Sequence, residues 1–182
     1  YDIALELISH SDGRIYKENL YSFVAAYQTE VTLKLGELWA IPIMLRLALL
    51  ENLRRVATRI FVSRKDRDKA NYWADRMMKI AEKDPKSLVI EMADFAQSDP
   101  NMSSAFVSEL ARRFQGQTQY LALPLTWIEQ RLSEEGLKIE QLIHTENQQQ
   151  ASDQVSIGNS INSIKLLSAI DWKEFVEKME MA

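Results

Sequence analysis

Chemistry at a protein site needs a few reactive side-chain types held close together, and this chain offers few of them. It has two histidines, His10 and His144, and no cysteine. Structural and catalytic metal sites take three or more ligands, so two histidines far apart in sequence make a poor metal site, and no metal ion is expected. Without cysteine there is no thiol nucleophile, thiolate ligand or disulfide. The local patterns that cradle a phosphate, hold zinc or raise a nucleophilic serine are also missing: there is no GxGxxG, Walker loop, HExxH or GxSxG. Carboxylates are plentiful. Glycoside cleavage uses two at a fixed separation, and Glu37, Glu51, Asp75, Glu91 and Asp94 are the candidates. Spacing alone sets no two of them across a cleft, and Glu51 with Arg55 four residues on is the pattern of a helix-surface ion pair. The blocks Arg54-Arg55 and Arg64 to Lys69 are mixed in sign and read as a solvated helix face rather than an anion site. No catalytic residue and no cofactor is expected.

The aromatics carry more. Trp39, Trp73, Trp127 and Trp172 stand with six tyrosines in 182 residues. Aromatic faces stack on sugar rings while neighbouring polar groups fix the hydroxyls. Tryptophan is equally an ordinary core residue. Met77-Met78 and Met179 with Met181 fall at helical positions and read as core filler.

The elements that must position these residues are helical almost throughout. Ile3, Leu5, Leu7 and Ile8 predict a short opening helix, and Asp12-Gly13 a turn. Leu20, Phe23, Val24 and Tyr27 stand at i, i+3, i+4 and i+7, one apolar face of a second helix. At Pro42 a kink or a new helix start is expected, because proline cannot donate to the helix ladder. From Ile43 to Lys83 there is neither Gly nor Pro. The run Ile43 to Leu50 is apolar on nearly all sides, which predicts a central buried helix. It either continues as one bent helix to Lys83 or breaks near Ser63.

Asp84-Pro85 and Asp99-Pro100 each set a carboxylate cap before a proline and predict two helix starts. Leu88, Met92 and Phe95 line the first helix; Phe106, Leu110 and Phe114 line the second, which ends at Gly116. An apolar helix follows with Pro124 near its start and Gly136 past its end. A polar helix from about Lys138 to Ser168 has Val155, Ile161, Ile164 and Leu167 as its thin apolar stripe. Asp171 and Glu174 have the spacing of a capping box for a last helix. No segment alternates as a strand would. The fold class is all-α, with seven or eight helices packed as antiparallel neighbours around one long central helix, in a single helical domain over 1–182.

Composition agrees. Hydrophobic residues make up 46 % and charged residues 26 %, with a net charge of −4, enough apolar content for a core and too acidic for a general nucleic-acid binder. The longest apolar run, Leu38 to Leu50, is interrupted by Arg46 and is shorter than the roughly 20 residues of a membrane span. The chain starts at Tyr1 with no leader after it, which reads as a fragment of a larger multidomain protein.

The wording of several runs resembles the helical region of cyclic β-1,2-glucan synthases. These runs are Phe23-Val24-Ala25-Ala26-Tyr27-Gln28, Leu35-Gly36-Glu37-Leu38-Trp39-Ala40-Ile41-Pro42-Ile43-Met44-Leu45-Arg46, and Glu51-Asn52-Leu53-Arg54-Arg55. Later come Leu123-Pro124-Leu125-Thr126-Trp127, Gln148-Gln149-Gln150-Ala151, Ser156-Ile157-Gly158-Asn159-Ser160-Ile161 and Asp171-Trp172. One departure is Lys34, where a small polar cap is expected before Leu35. The resemblance implies a very large bacterial protein on the inner membrane. Such proteins polymerise glucose from UDP-glucose into β-1,2-glucan, cyclise it and trim it by phosphorolysis in other segments. This segment is then a non-catalytic helical module on the cytoplasmic side, similar in architecture to helical-repeat modules, whose concave surfaces take partners or polymers.

Two readings follow. In one, the module holds the glucan chain, with Trp39 and Trp127 as stacking platforms and Glu37, Arg46 and Gln148 as polar partners. In the other, it is an interaction scaffold for neighbouring domains and the tryptophans are core. Exposure separates them: a ring face open in a groove favours sugar, and a broad apolar patch favours an interface.

Overall fold

A computed structural model describes residues 1–117 and 119–180. Among the described residues there are eight α-helices and no strand: α1 (Asp2–His10), α2 (Lys17–Glu30), α3 (Leu35–Lys83), α4 (Leu88–Gln97), α5 (Ser104–Phe114), α6 (Ala122–Glu134), α7 (Ile139–Ala169) and α8 (Trp172–Glu180). Short 3₁₀ turns, Pro85–Ser87 and Gln119–Leu121, lead into α4 and α6. Contacts gather into two compact units, one of residues 1–58 and 152–182, the other of residues 59–151.

In the first unit α1, α2, α8 and parts of α3 and α7 close over an aliphatic core that includes Ile8, Leu20, Val24, Leu45, Leu49, Leu167 and Phe175. α3 begins at Leu35, not at Pro42, and runs through the proline. Pro42 removes one donor from the ladder, a loss of about 3 kcal/mol in a helix interior. Leu38 before it and Leu45, Ala48 and Leu49 after it are all buried in the same core, and this holds both sides of the proline to one helix. Lys34 offers no side-chain cap, but the Glu37 carboxylate reaches back and accepts from the Lys34 backbone N–H at 2.7 Å. That is the second half of a capping box, sufficient to start the helix.

The predicted choice between one helix and two after Ile43 is settled as one helix, unbroken at Ser63. The expected all-round burial of its first part is not found. Leu45, Ala48 and Leu49 are buried, but Ile43, Leu47 and Leu50 are exposed.

α7 departs from the predicted stripe more sharply. Leu167 is buried, yet Val155 and Ile161 are exposed. The buried face is made by Asp153, Ser156, Ser160, Ser163 and Leu167 instead, at helical spacing. Serine is small enough to let neighbours approach. The Asn52 amide donates to Ser156 Oγ and Ser160 Oγ, both at 3.0 Å, and Arg46 donates to the Leu167 carbonyl at 3.1 Å. Positions rise along α3 as they fall along α7, so the two lie antiparallel in this unit. The turn at Asp12-Gly13 docks here as well: Ser163 Oγ donates to the Gly13 carbonyl at 2.7 Å and accepts from Ile15 N–H at 2.8 Å. Gly13 has φ +76°, and a Cβ there would stand 2.4 Å from Ser160 Oγ, so only glycine fits.

In the second unit the α3 positions Ala70, Ala74, Met77 and Ala81 bury one face against α4, α5 and α6. The core is aromatic. Phe95 is fully buried and meets Trp73 and Trp127 edge-on at 5.2 and 5.0 Å, with Phe106 stacked at 6.3 Å. Asp84 caps the turn into α4 as predicted, accepting from the Lys86 N–H at 3.3 Å. Asp99 does not start α5. It adopts φ +41° and ends α4, with its carboxylate on Arg131 at 3.0 Å, while Ser103 caps α5 by accepting from Phe106 N–H. Aspartate tolerates the left-handed conformation that a helix exit requires, and this gives the residue a different use from the one its proline neighbour suggests. Gly116 and Gly136 take positive φ past α5 and α6 as expected. Asp171 caps α8, accepting from Lys173 and Glu174 N–H at 3.0 and 3.1 Å. Met77 and Met179 are core, and Met181 lies outside the described residues.

Candidate functional site

The residues singled out by chemistry are mostly spoken for. Glu51 pairs with Arg54, three residues on, through two guanidinium bonds of 2.6 and 2.8 Å rather than with Arg55. These bonds hold the Glu51 carboxyl below its ordinary range. Glu91 is buried against Arg76, with Nε to Oε1 at 2.6 Å and Nη2 to Oε2 at 3.0 Å, Asp94 stands 3.9 Å from the same Nη2, and Asp75 pairs with Arg113. His10 meets Glu6 on the exposed side of α1, and His144 is exposed on α7.

Within the mixed-sign block on α3, Asp66 and Asp68 stand two residues apart. On a helix, residues two apart face different ways. Asp66 is buried and accepts from Ser103 Oγ at 2.8 Å, whereas Asp68 is exposed. Among the described residues no group of three or more His, Asp or Glu side chains is placed to hold a metal ion.

Of the five sugar-binding candidates, Trp39, Glu37 and Arg46 lie in the first unit, and Trp127 and Gln148 in the second. Trp127 is half-buried on the aromatic core, edge-on to Phe95. Arg46 spends its guanidinium on the Leu167 carbonyl, which also accepts from the Trp172 indole N–H at 2.9 Å. That carbonyl is in the last turn of α7, where helix acceptors lack helical donors, and a cation there also suits the helix dipole. Glu37 is exposed but caps α3. Gln148 is exposed on α7.

Trp39 differs from these. It is half-exposed and belongs to a row of large apolar side chains on α3: Leu35, Trp39, Ile43, Leu47 and Leu50, each between 46 % and 56 % exposed. Spacings of four, four, four and three residues hold them within about 120° of the helix circumference. The row ends at the Glu51–Arg54 ion pair. Single exposed apolar residues are ordinary, but a contiguous row of five with a polar boundary is the signature of a contact surface. Sequence reading missed Leu35, Ile43, Leu47 and Leu50 as surface residues because an apolar run gives no sign of which side faces a core. The signal available was that the run is apolar around the whole helix, more than one core can cover.

No family model matches the chain. Over 173 residues, 94 % of its length, it is 31 % identical to the cyclic beta-(1,2)-glucan synthase NdvB of Rhizobium meliloti (strain 1021). The chain spans about 6 % of the length of that relative. It is therefore related to a small segment of a cyclic β-1,2-glucan synthase. Among the described residues no helix is long and apolar enough to cross a membrane.

Proposed function

We propose that residues 1–182 act as one non-catalytic helical module of a cyclic β-1,2-glucan synthase-like protein, and that the module packs against a further segment of that protein. The carrying observation is the apolar row Leu35, Trp39, Ile43, Leu47 and Leu50 on α3. Its aliphatic majority suits another packed protein surface better than a sugar, which offers one apolar ring face and a rim of hydroxyls. The relative's length supports the reading, since the matched segment is a small share of a much larger protein. Glucosyl transfer from UDP-glucose and phosphorolytic trimming belong, in this proposal, to other segments, and the module lies on the cytoplasmic side of the bacterial inner membrane.

The test is a photo-crosslinking side chain at Leu47 in a full-length synthase carrying this segment. Cross-linked peptides from another part of the same polypeptide are expected, and Leu35→Glu with Ile43→Glu should abolish them without loss of helicity. Adducts with lipid or water alone would overturn the proposal. A second reading, retention of the glucan chain, is favoured by the half-open ring of Trp39. Glu37 and Arg46, its polar partners in that reading, are engaged on the backbone. Quenching of Trp39 fluorescence by linear β-1,2-glucan and not by β-1,4-glucan is its expected sign.

A further inference from the structure

Beside the α3 row, the first unit contains a cleft of about 270 Å³. Its walls are half-buried apolar side chains: Leu7 from α1, Phe23 and Tyr27 from α2, Leu33 from the turn before α3, and Ile41 and Met44 from α3 itself. Ala40 also lines it. Ala40 and Met44 stand three residues before the row members Ile43 and Leu47, and residues three apart are neighbours on a helix surface. The α3 wall of the cleft therefore borders the row.

Size narrows what can enter. Small-molecule sites run from about 300 Å³ upward, and this cleft falls short of that range. It suits one or two large side chains of a docked protein surface, in the way that apolar anchors fill pockets at interfaces.

The rim adds a sign. Glu37 is the one charged residue among the described lining residues. Its Oε2 accepts from the Lys34 N–H at 2.7 Å. Among the described residues its other oxygen has no hydrogen-bond partner, and no cation stands within ion-pair distance of it. A carboxylate oxygen open at the edge of an apolar cleft favours a basic group beside whatever enters, and disfavours an acidic group or an anionic lipid headgroup.

Resting on the reading of the α3 row as a contact surface, we propose that this cleft is its anchor socket. It takes a large apolar side chain from another segment of the same polypeptide, and a Lys or Arg within one helical turn of that side chain pairs with Glu37.

A diazirine analogue of methionine is placed at Met44 in a full-length synthase carrying this segment, with the Leu47 cross-linker run in parallel. Peptides from another part of the same polypeptide are expected at Met44, each with Lys or Arg within about four positions of the modified apolar residue. Ala40→Phe fills the cleft from its α3 wall and should lower the Met44 yield at least about tenfold with helicity kept. Glu37→Gln removes the charge but keeps the cap, since glutamine also serves in a capping box. It should lower the yield about two- to fivefold, with the larger effect at low salt. Peptides with no basic residue near the modified side chain, lipid adducts, or a yield unmoved by Ala40→Phe or by Glu37→Gln would overturn the proposal. Protein adducts at Leu47 with none at Met44 would overturn the socket and leave the row's contact standing, whereas protein adducts at neither position would remove both.

Discussion

In the first unit α7 seats Ser156 and Ser160 under the Asn52 amide and Ser163 on the Gly13 turn, a row of small neutral groups that follows the buried Asp153. In the second unit the same helix presents Glu146, buried and bonded to Arg67, Ser104 and Gln150. The cores differ likewise, largely aliphatic in the first and built on Phe95, Phe106, Trp73 and Trp127 in the second. One helix thus uses two ways of burying polar atoms. Small hydroxyls permit close approach, and each is worth a modest net hydrogen bond of about 1 kcal/mol. A buried carboxylate contributes little net stability when paired, but losing either partner is costly, because the other charge stays behind.

Three tests sharpen this contrast, ordered by the largest loss each expects. Phe95→Ala opens a cavity beneath three aromatic neighbours and should cost about 3–5 kcal/mol in urea unfolding. Amide exchange should accelerate more in residues 59–151 than in the first unit. Uniform acceleration across both units would mean that the aromatic core supports the whole chain.

Glu146→Ala strands Arg67, Ser104 and Gln150 together. Arg67 keeps some solvent access, its side chain being 28 % exposed, so the expected loss is about 2–3 kcal/mol, below that of a fully buried broken pair. Ser160→Ala, the neutral counterpart, should cost about 1 kcal/mol. Equal losses from the two would break the distinction between ionic and neutral seating.

Gly13→Ala combines left-handed backbone strain with a contact on Ser160 Oγ, and about 2 kcal/mol is expected. In the double variant Gly13→Ala/Ser160→Ala the contact is relieved and the backbone term remains. The double variant should therefore lose less than the sum of the singles, a coupling read from a double-mutant cycle. Strict additivity would show that the turn moves away from α7 rather than pressing on it.

Much of this was legible in the residues. Helical periodicity, the scarcity of Gly and Pro, and caps such as Asp84 and Asp171 gave an all-α fold with nearly correct element limits, because these are local properties of a few neighbouring side chains. The relation to a glucan synthase segment was legible too, in runs such as Leu35 to Arg46 and Ser156 to Ile161. Packing was another matter. The apolar stripe Val155, Ile161, Ile164 and Leu167 predicted for α7 holds at Leu167 but not at Val155 and Ile161, and the serines that do face inward are unmarked in the sequence, since hydropathy ranks serine below valine whatever stands opposite. Only the approach of Asn52 and the Gly13 turn makes those serines interior.

The same limit governs the candidate sites. Sequence alone nominated Trp39 and Trp127 equally, as aromatic residues beside apolar runs. The tertiary structure set Trp127 against Phe95 and left Trp39 in an exposed apolar row. It also turned Arg46 to a helix C-terminus and Glu37 to a helix N-terminus. Residue types and local spacing determine which helices form. Which face of each helix meets a core, and which polar groups are left over at a surface, is decided by long-range packing, where residues more than a hundred positions apart share a single hydrogen bond.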